Sequence, residues 1–344
     1  MLLLCALGSA CRARASPGPT VPPQVAPGAT SGRQLKLGAA VQRARLVDAR
    51  DPAYASTFAE TFDSLTPELE LKLEHLLPRP GAYDWAAADD LVAYAEAHRK
   101  GMRGHTLVWH RALPAWMLSR SWTREELLAF LKGHVAAVVG RYRGRIAEWD
   151  VVNEAFNDDG TWRKSLWYDV LGPGYVEAAF RFAREADPGA KLYYNDYGAE
   201  WMNAKSDAIL ALATRLRKAG VLDGVGLQAH FNAGWYTSGP DLAANMARFA
   251  AAGLEVEITE LDVAMSSRHG SAEEKLRDQA RIYGGIAAAC QAQPACKQLT
   301  VWGVSDRYTW LTPSDVPLLF DAAYAPKPAY AAIRAAIPAP RPTP

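Results

Sequence analysis

Several functional classes leave no mark on this chain of 344 residues. No GxGxxG follows an apolar run and no GKS or GKT occurs, so the usual cradles for a dinucleotide or a nucleoside triphosphate are missing. Charge of one sign is missing too. Lysine and arginine number 38 against 37 acidic residues, and a net charge of +1 supplies no bulk field to select nucleic acid or an anionic membrane. Cysteine is scarce. Two of the four lie in the first eleven residues, and the remaining pair, Cys290 and Cys296, has no further ligands nearby, so no metal site and no cofactor are expected. The pair brackets the short segment QAQPA. In an exported protein a local disulfide is the first reading and two free thiols the second; a loop so small adds modest stability.

Long apolar runs are also missing. Leu2 to Ala10 is the run at the start, too short to span a bilayer, and no membrane span is expected. It precedes Ala13-Arg14-Ala15, a small-x-small site of the kind secretory signals carry. The positive charge that normally opens such a signal is not there, which suits a clipped start. Cys11 raises a lipoprotein signal as a further reading, although Gly8 stands where such signals favour leucine. Residues 16–33 are rich in Pro, Gly and Ser and read as a linker. The expected layout is a signal over 1–15, the linker, a single catalytic domain over 34–338 and a Pro-rich tail over 339–344, in a secreted or periplasmic protein.

What the chain does have is alternation. Apolar, β-branched segments at Lys36–Val41, Phe62–Leu65, Gly104–Trp109, Trp149–Val152, Lys191–Asn195, Val225–Ala229, Glu255–Glu260 and Leu299–Val304 read as eight strands. Helical patterns separate most of them: Ala86–Lys100, a segment to Arg141 opened by Thr123 with Glu126 at the capping-box position, Val176–Glu185, Asn203–Ala219, Asp241–Ala252, Ala272–Ala289 and Pro328–Ala336. Eight strands alternating with helices predict an α/β fold, a (β/α)8 TIM barrel. A doubly wound open sheet is the alternative, without its usual phosphate-binding glycines.

The strand ends carry the chemistry. WDVVNEAF at 149–156 runs as a buried strand and then stops at Asn153-Glu154; EVEITELDV, which opens at Glu255, delivers Glu260 in the same way. The two glutamates are 106 residues apart, so only a closed fold that gathers strand ends at one face can pair them. Paired carboxylates there can run acid and nucleophile chemistry on an acetal. The other ends supply Glu68, Glu70 and Lys72; His105, Trp109 and His110; Asn195, Asp196 and Tyr197; Gln228 and His230; Asp262; and Trp302, with Trp310 in the following loop. Alone, a strand histidine is usually a hydrogen-bonded core residue and a loop lysine a solvated charge. The same habit at seven ends is what the active-site rule for barrels describes.

These segments resemble family 10 glycoside hydrolases, the endo-β-1,4-xylanase family, from about Leu35 to Ile337. The similarity rests on LTPELELK at 65–72, RGHTLVWH at 103–110, WDVVNEAF, YYNDYG at 193–198, GVGLQAHF at 224–231, ITELDV at 258–263, VWGVSDRYTW at 301–310 and PLLFDAAYAPKPAY at 317–330. The resemblance implies a monomeric retaining endo-1,4-β-xylanase acting on xylan or a related β-linked polysaccharide. It gives Glu154 the acid/base role and Glu260 that of nucleophile. Asn153 would grip the sugar 2-hydroxyl, and His230 and Asp262 would orient the nucleophile. Lys72, His105, Trp109, Gln228 and Trp302 would line the sugar pocket on the non-reducing side of the cut. Glu68, Asn195, Tyr197 and Trp310 are counted with the substrate-binding set. The spacing of Cys290 and Cys296 is similar to a disulfide in many members. Four positions depart from the family pattern: Leu69 for an Asn, Leu73 for a Trp, Ala112 for a Gln and Leu311 for an Arg. Each removes a polar or stacking contact to sugars, which implies weaker binding at the second non-reducing subsite. Two other readings stay open, a hydrolase for another β-linked glucan or aryl glycoside, and a non-catalytic carbohydrate-binding or inhibitor barrel.

Overall fold

Nine parallel strands occur among the residues that the computed structural model describes, 35–47, 51–234 and 239–337. They are β1 (Lys36–Val41), β2 (Ser64–Pro67), β3 (Gly101–Trp109), β4 (Glu148–Asn153), β5 (Lys191–Asp196), β6 (Gly224–Leu227), β7 (His230–Asn232), β8 (Glu255–Ala264) and β9 (Cys296–Val301). The signal, linker and tail expected at the termini lie outside the described residues. Strands β1 to β6 pair in sequence order; β6 then pairs with β8, β8 with β9, and β9 with β1. The ring therefore closes on eight strands, and the open-sheet alternative is excluded.

Burial on both faces explains the near-continuous apolar strands. In β1, Leu37, Ala39, Ala40 and Val41 are all sealed from solvent; so are Trp149, Val151 and Val152 in β4. The interior is filled by side chains. Gly104 is glycine because a Cβ there would sit 2.2 Å from the Trp149 ring. Helices cover the outside through one apolar stripe each. The helix Arg124–Arg141 buries Leu127, Leu131, His134, Val135, Val138 and Val139, the spacing of a core-facing side. Its expected capping box forms, with Glu126 N–H donating to Thr123 Oγ1 (3.2 Å) and Thr123 N–H donating to Glu126 Oε2 (2.9 Å). Cys290 and Cys296 are joined by a disulfide that links the end of the helix Ala272–Ala292 to the start of β9.

Several expected boundaries move. Phe62 does not open β2; it caps the helix Pro52–Thr61, which the sequence reading left out. The eighth strand, expected over Leu299–Val304, is β9 and ends at Val301, so Trp302 lies just beyond it. The seventh, β8, runs on to Ala264, which puts Glu260 inside a strand rather than at its tip. The sixth breaks in two. Ala229 takes a left-handed backbone (φ 62°), and the chain resumes as β7, pairing His230 with Asp262 on β8.

Candidate active site

The C-terminal half of β8 and the turn after β4 bring both glutamates into one hydrogen-bonded cluster. Glu154 follows β4 in a left-handed conformation (φ 57°), rare for a residue with a Cβ and common where function requires it. Its N–H donates to the Asn195 carbonyl at the end of β5 (2.9 Å), and Arg163 Nε donates to its own carbonyl (3.0 Å). The side chain receives the Trp109 indole N–H (2.9 Å), Gln228 Nε2 (3.1 Å) and Asn153 Nδ2 (3.3 Å). All three donors are neutral. His110 lies 3.8 Å away; burial pushes its imidazole down to about 4, against the pull of Glu154.

Glu260 has different company. One oxygen receives Asn195 Nδ2 (2.7 Å) and the other His230 Nε2 (3.1 Å). His230 donates its second ring N–H to Asp262 (3.0 Å), which also receives the Trp310 indole (2.8 Å). Burial works against a charged His230, but Asp262 and Glu260 outweigh it and hold the imidazole well above its ordinary pKa. Burial likewise opposes the Glu260 carboxylate; His105 at 3.9 Å and the His230 hydrogen bond prevail, so its pKa lies below the ordinary value. The ionised state is the one a carboxylate would need to act as a nucleophile.

Amides join the two centres. Asn153 Oδ1 accepts from Asn195 Nδ2 (2.9 Å) and Gln228 Nε2 (3.2 Å), and these same two amides hold Glu260 and Glu154. Gly226 makes the bridge fit: a Cβ there would meet Asn195 Oδ1 at 2.3 Å.

The remaining sequence candidates divide. Lys72 stands over the Trp109 ring (4.9 Å), with its pKa lowered by burial despite the pull of Glu260, Glu68 and Glu154. Glu68 is buried beside Gln42 (2.8 Å) and its carboxyl is raised by burial to about 7. Trp302 meets His105 and His230 edge-on, at 5.2 and 6.2 Å between ring centres. Trp310 stays 58% exposed although its indole is bonded to Asp262. Tyr197 is one step removed, bonded to Arg163 (2.8 Å) with the Lys205 ammonium 3.4 Å over its ring. Lys205 in turn pairs with Asp196 (2.9 Å). At the departing positions, Leu69 is exposed and Leu73 buried. Leu73 and Ala112 join Lys72, Thr106 and Trp109 around a cleft too tight for water.

Five supporting residues escaped the sequence reading. Asp150 holds His105 (3.0 Å) and is gripped by Arg103 through two bonds (2.5 and 3.1 Å). Arg103 also donates to Glu257 (2.6 Å). Glu200 accepts the Ala229 N–H (2.8 Å) and so fixes the kink that turns His230 toward Glu260. Arg163 ties the Glu154 backbone to Tyr197. A charged residue inside the apolar run WDVV was the available signal for Asp150.

The profile described as Glycosyl hydrolase family 10 matches residues 28–336. Endo-1,4-beta-xylanase B of Thermotoga neapolitana is 40% identical over 286 residues, 82% of each chain. Endo-1,4-beta-xylanase A of Fusarium oxysporum f. sp. lycopersici is 40% identical over 280 residues, 78% of this chain and 85% of that one. The crystal structure of xylanase 10B from Thermotoga petrophila RKU-1 in complex with xylobiose aligns with a TM-score of 0.85 at 39% identity, covering 88% of this chain and 94% of the other. With this match and this barrel, the chain belongs to glycosyl hydrolase family 10 and is a glycoside hydrolase.

Proposed function

We propose that the chain is a retaining endo-1,4-β-xylanase in which Glu260 is the nucleophile and Glu154 the acid/base. The observation that carries this is the contrast across the amide bridge: Glu260 is bonded by an imidazole that Asp262 and Glu260 hold above its ordinary pKa, whereas Glu154 receives indole and amide N–H groups. Glu260 attacks the anomeric carbon as the glycosidic C–O bond breaks and Glu154 gives its proton to the leaving oxygen. Glu154, now a carboxylate, takes a proton from water; the oxygen of that water bonds to the anomeric carbon and displaces Glu260. Two displacements retain configuration and need carboxyl groups about 5–5.5 Å apart. Asn153 is assigned the 2-hydroxyl. Lys72, His105, Trp109, Gln228 and Trp302 are assigned the sugar on the non-reducing side, with Glu68, Asn195, Tyr197 and Trp310 around them. The choice of xylan is supported by the relatives named as xylanases. Secretion is part of the same reading, supported by the disulfide, a bond of oxidising compartments; a monomeric chain is proposed with it.

Reducing-sugar release from xylan and from a soluble β-glucan, with Glu260→Ala as control, tests the proposal. Xylan should yield oligosaccharides early, and the control should yield none. Cleavage of glucan alone would make the chain a different β-glycanase. Silence on both would leave a binding barrel.

A further inference from the structure

An open cavity of about 550 Å3 lies outside the catalytic cluster and shares no lining residue with it. Its walls come from the segment after β2, the segment after β3 and the helix Arg124–Arg141. Three rings form a cup rather than a stack: Trp116 meets Phe130 at 79° and Trp122 at 50°, and Trp122 meets Phe130 at 53°, with centres 5.5–6.1 Å apart. Their N–H groups are already used. Trp116 Nε1 donates to the Leu77 carbonyl and Trp122 Nε1 to that of Met117, both at 3.0 Å. The rings are thereby held in place, and all three remain only half-buried.

The polar groups at the rim narrow the choice of ligand. The Arg120 guanidinium lies 4.0 Å over the Trp122 ring and donates to Glu126 Oε1 (2.9 Å). The Glu126 carboxylate already neutralises that cation, so an anion gains little there. A hydrocarbon would cover the pair without hydrogen-bonding to it, at a desolvation cost. A neutral molecule with apolar faces and a belt of hydroxyls fits both the rings and the pair. Pyranose rings in a β-linked chain have that character, and the volume lies in the range that takes a short ligand segment.

We infer that this cup is a second carbohydrate-binding site, which holds a stretch of the polysaccharide chain outside the cleft. The identity of that chain rests on the proposed function. Binding there raises the effective concentration of the same polymer at the catalytic site. Long substrates gain from it and short ones do not.

Two variants test the inference. Trp122→Ala removes a wall. Gly133→Met fills the cavity, since a Cβ at the helical, exposed Gly133 meets nothing within 4 Å and every ring is kept. Each is placed in a Glu260→Ala background and run through native gels containing xylan, with parallel gels containing soluble β-glucan. The apparent dissociation constant for xylan should rise about fivefold or more, the order expected for a lost ring contact. In the active enzyme, kcat/KM on a xylobiose-based chromogenic substrate should stay within about twofold while the rate on xylan falls. Equal retardation of parent and both variants in every gel would overturn the inference, as would an equal loss on short and long substrates. Variant-sensitive retardation in glucan gels alone would keep the site and remove xylan as its ligand. The xylanase reading is judged separately, by cleavage of xylan with wild type.

Discussion

At the residue scale, the chemistry depends on how His230 divides its two N–H groups between Glu260 and Asp262. As pH falls, Glu260 takes up a proton and would lose the nucleophilic role proposed for it; His105 and His230 postpone this to lower pH. His230→Asn should therefore move the acid limb of the kcat/KM profile upward. At the optimum it should cost about 10- to 100-fold, the worth of a hydrogen bond to a charged group. Stability has the opposite sign. Because folding raises the His230 pKa, its contribution is complete below about 6.5 and fades as pH rises through the folded value; His230→Asn should lack that alkaline loss in unfolding titrations. An acid limb that stays in place would separate His230 from the nucleophile. Leu69 makes the second residue-scale test. Exposed where the family pattern has a polar residue, it should limit short substrates. Leu69→Asn should raise kcat/KM on a xylobiose-based chromogenic substrate about fivefold, the worth of one hydrogen bond; equal efficiency would remove the weakened-subsite reading.

At the scale of elements, the sequence showed where strands deliver polar groups but not how each strand is bent to aim them. Glu154 and Glu260 were legible because a carboxylate stands out in an apolar, β-branched run. The break between β6 and β7 was not, because Ala229 adopts a left-handed backbone pinned by Glu200, a contact made only after folding. The helix Pro52–Thr61 was missed for a similar reason. It buries only Tyr54 and Phe58, a single four-residue step and too little for a recognisable stripe. Gly226 on β6 shows how a strand without a functional side chain can govern the site. Gly226→Ala would drive a methyl against Asn195 Oδ1 and Thr259 Cγ2 (2.3 and 2.8 Å), displacing the amide that holds Glu260. Overpacking of this kind costs about 1–3 kcal/mol. Activity should fall at least about tenfold, in line with a lost charge-assisted hydrogen bond, and thermal unfolding should drop with it. Wild-type activity in this variant would contradict the proposed bridge.

At the scale of the whole barrel, repetition of strand and helix was enough to reveal the ring, since eight alternating units have few other ways to bury their strands. What lies inside was not legible. The Arg103, Asp150 and Glu257 cluster joins β3, β4 and β8 far from one another in sequence, and a charge in an apolar run does not announce its partner. The disulfide acts at this scale too, tying the helix Ala272–Ala292 to the strand that closes the ring on β1. Its loop is short, worth about 2 kcal/mol by chain entropy. Cys290→Ala/Cys296→Ala should lose about that much in urea unfolding and keep its activity at 25 °C; an unchanged unfolding curve would deny the bond a stabilising role. The proposed retaining reaction depends on one covalent bond, between Glu260 and a sugar. Its most direct test is to trap that bond with a 2-deoxy-2-fluoro xylobioside carrying a good leaving group, then locate the added mass by peptide sequencing. The label is predicted on Glu260; a label on any other residue, or turnover with an inverted anomeric centre and no label, would contradict it.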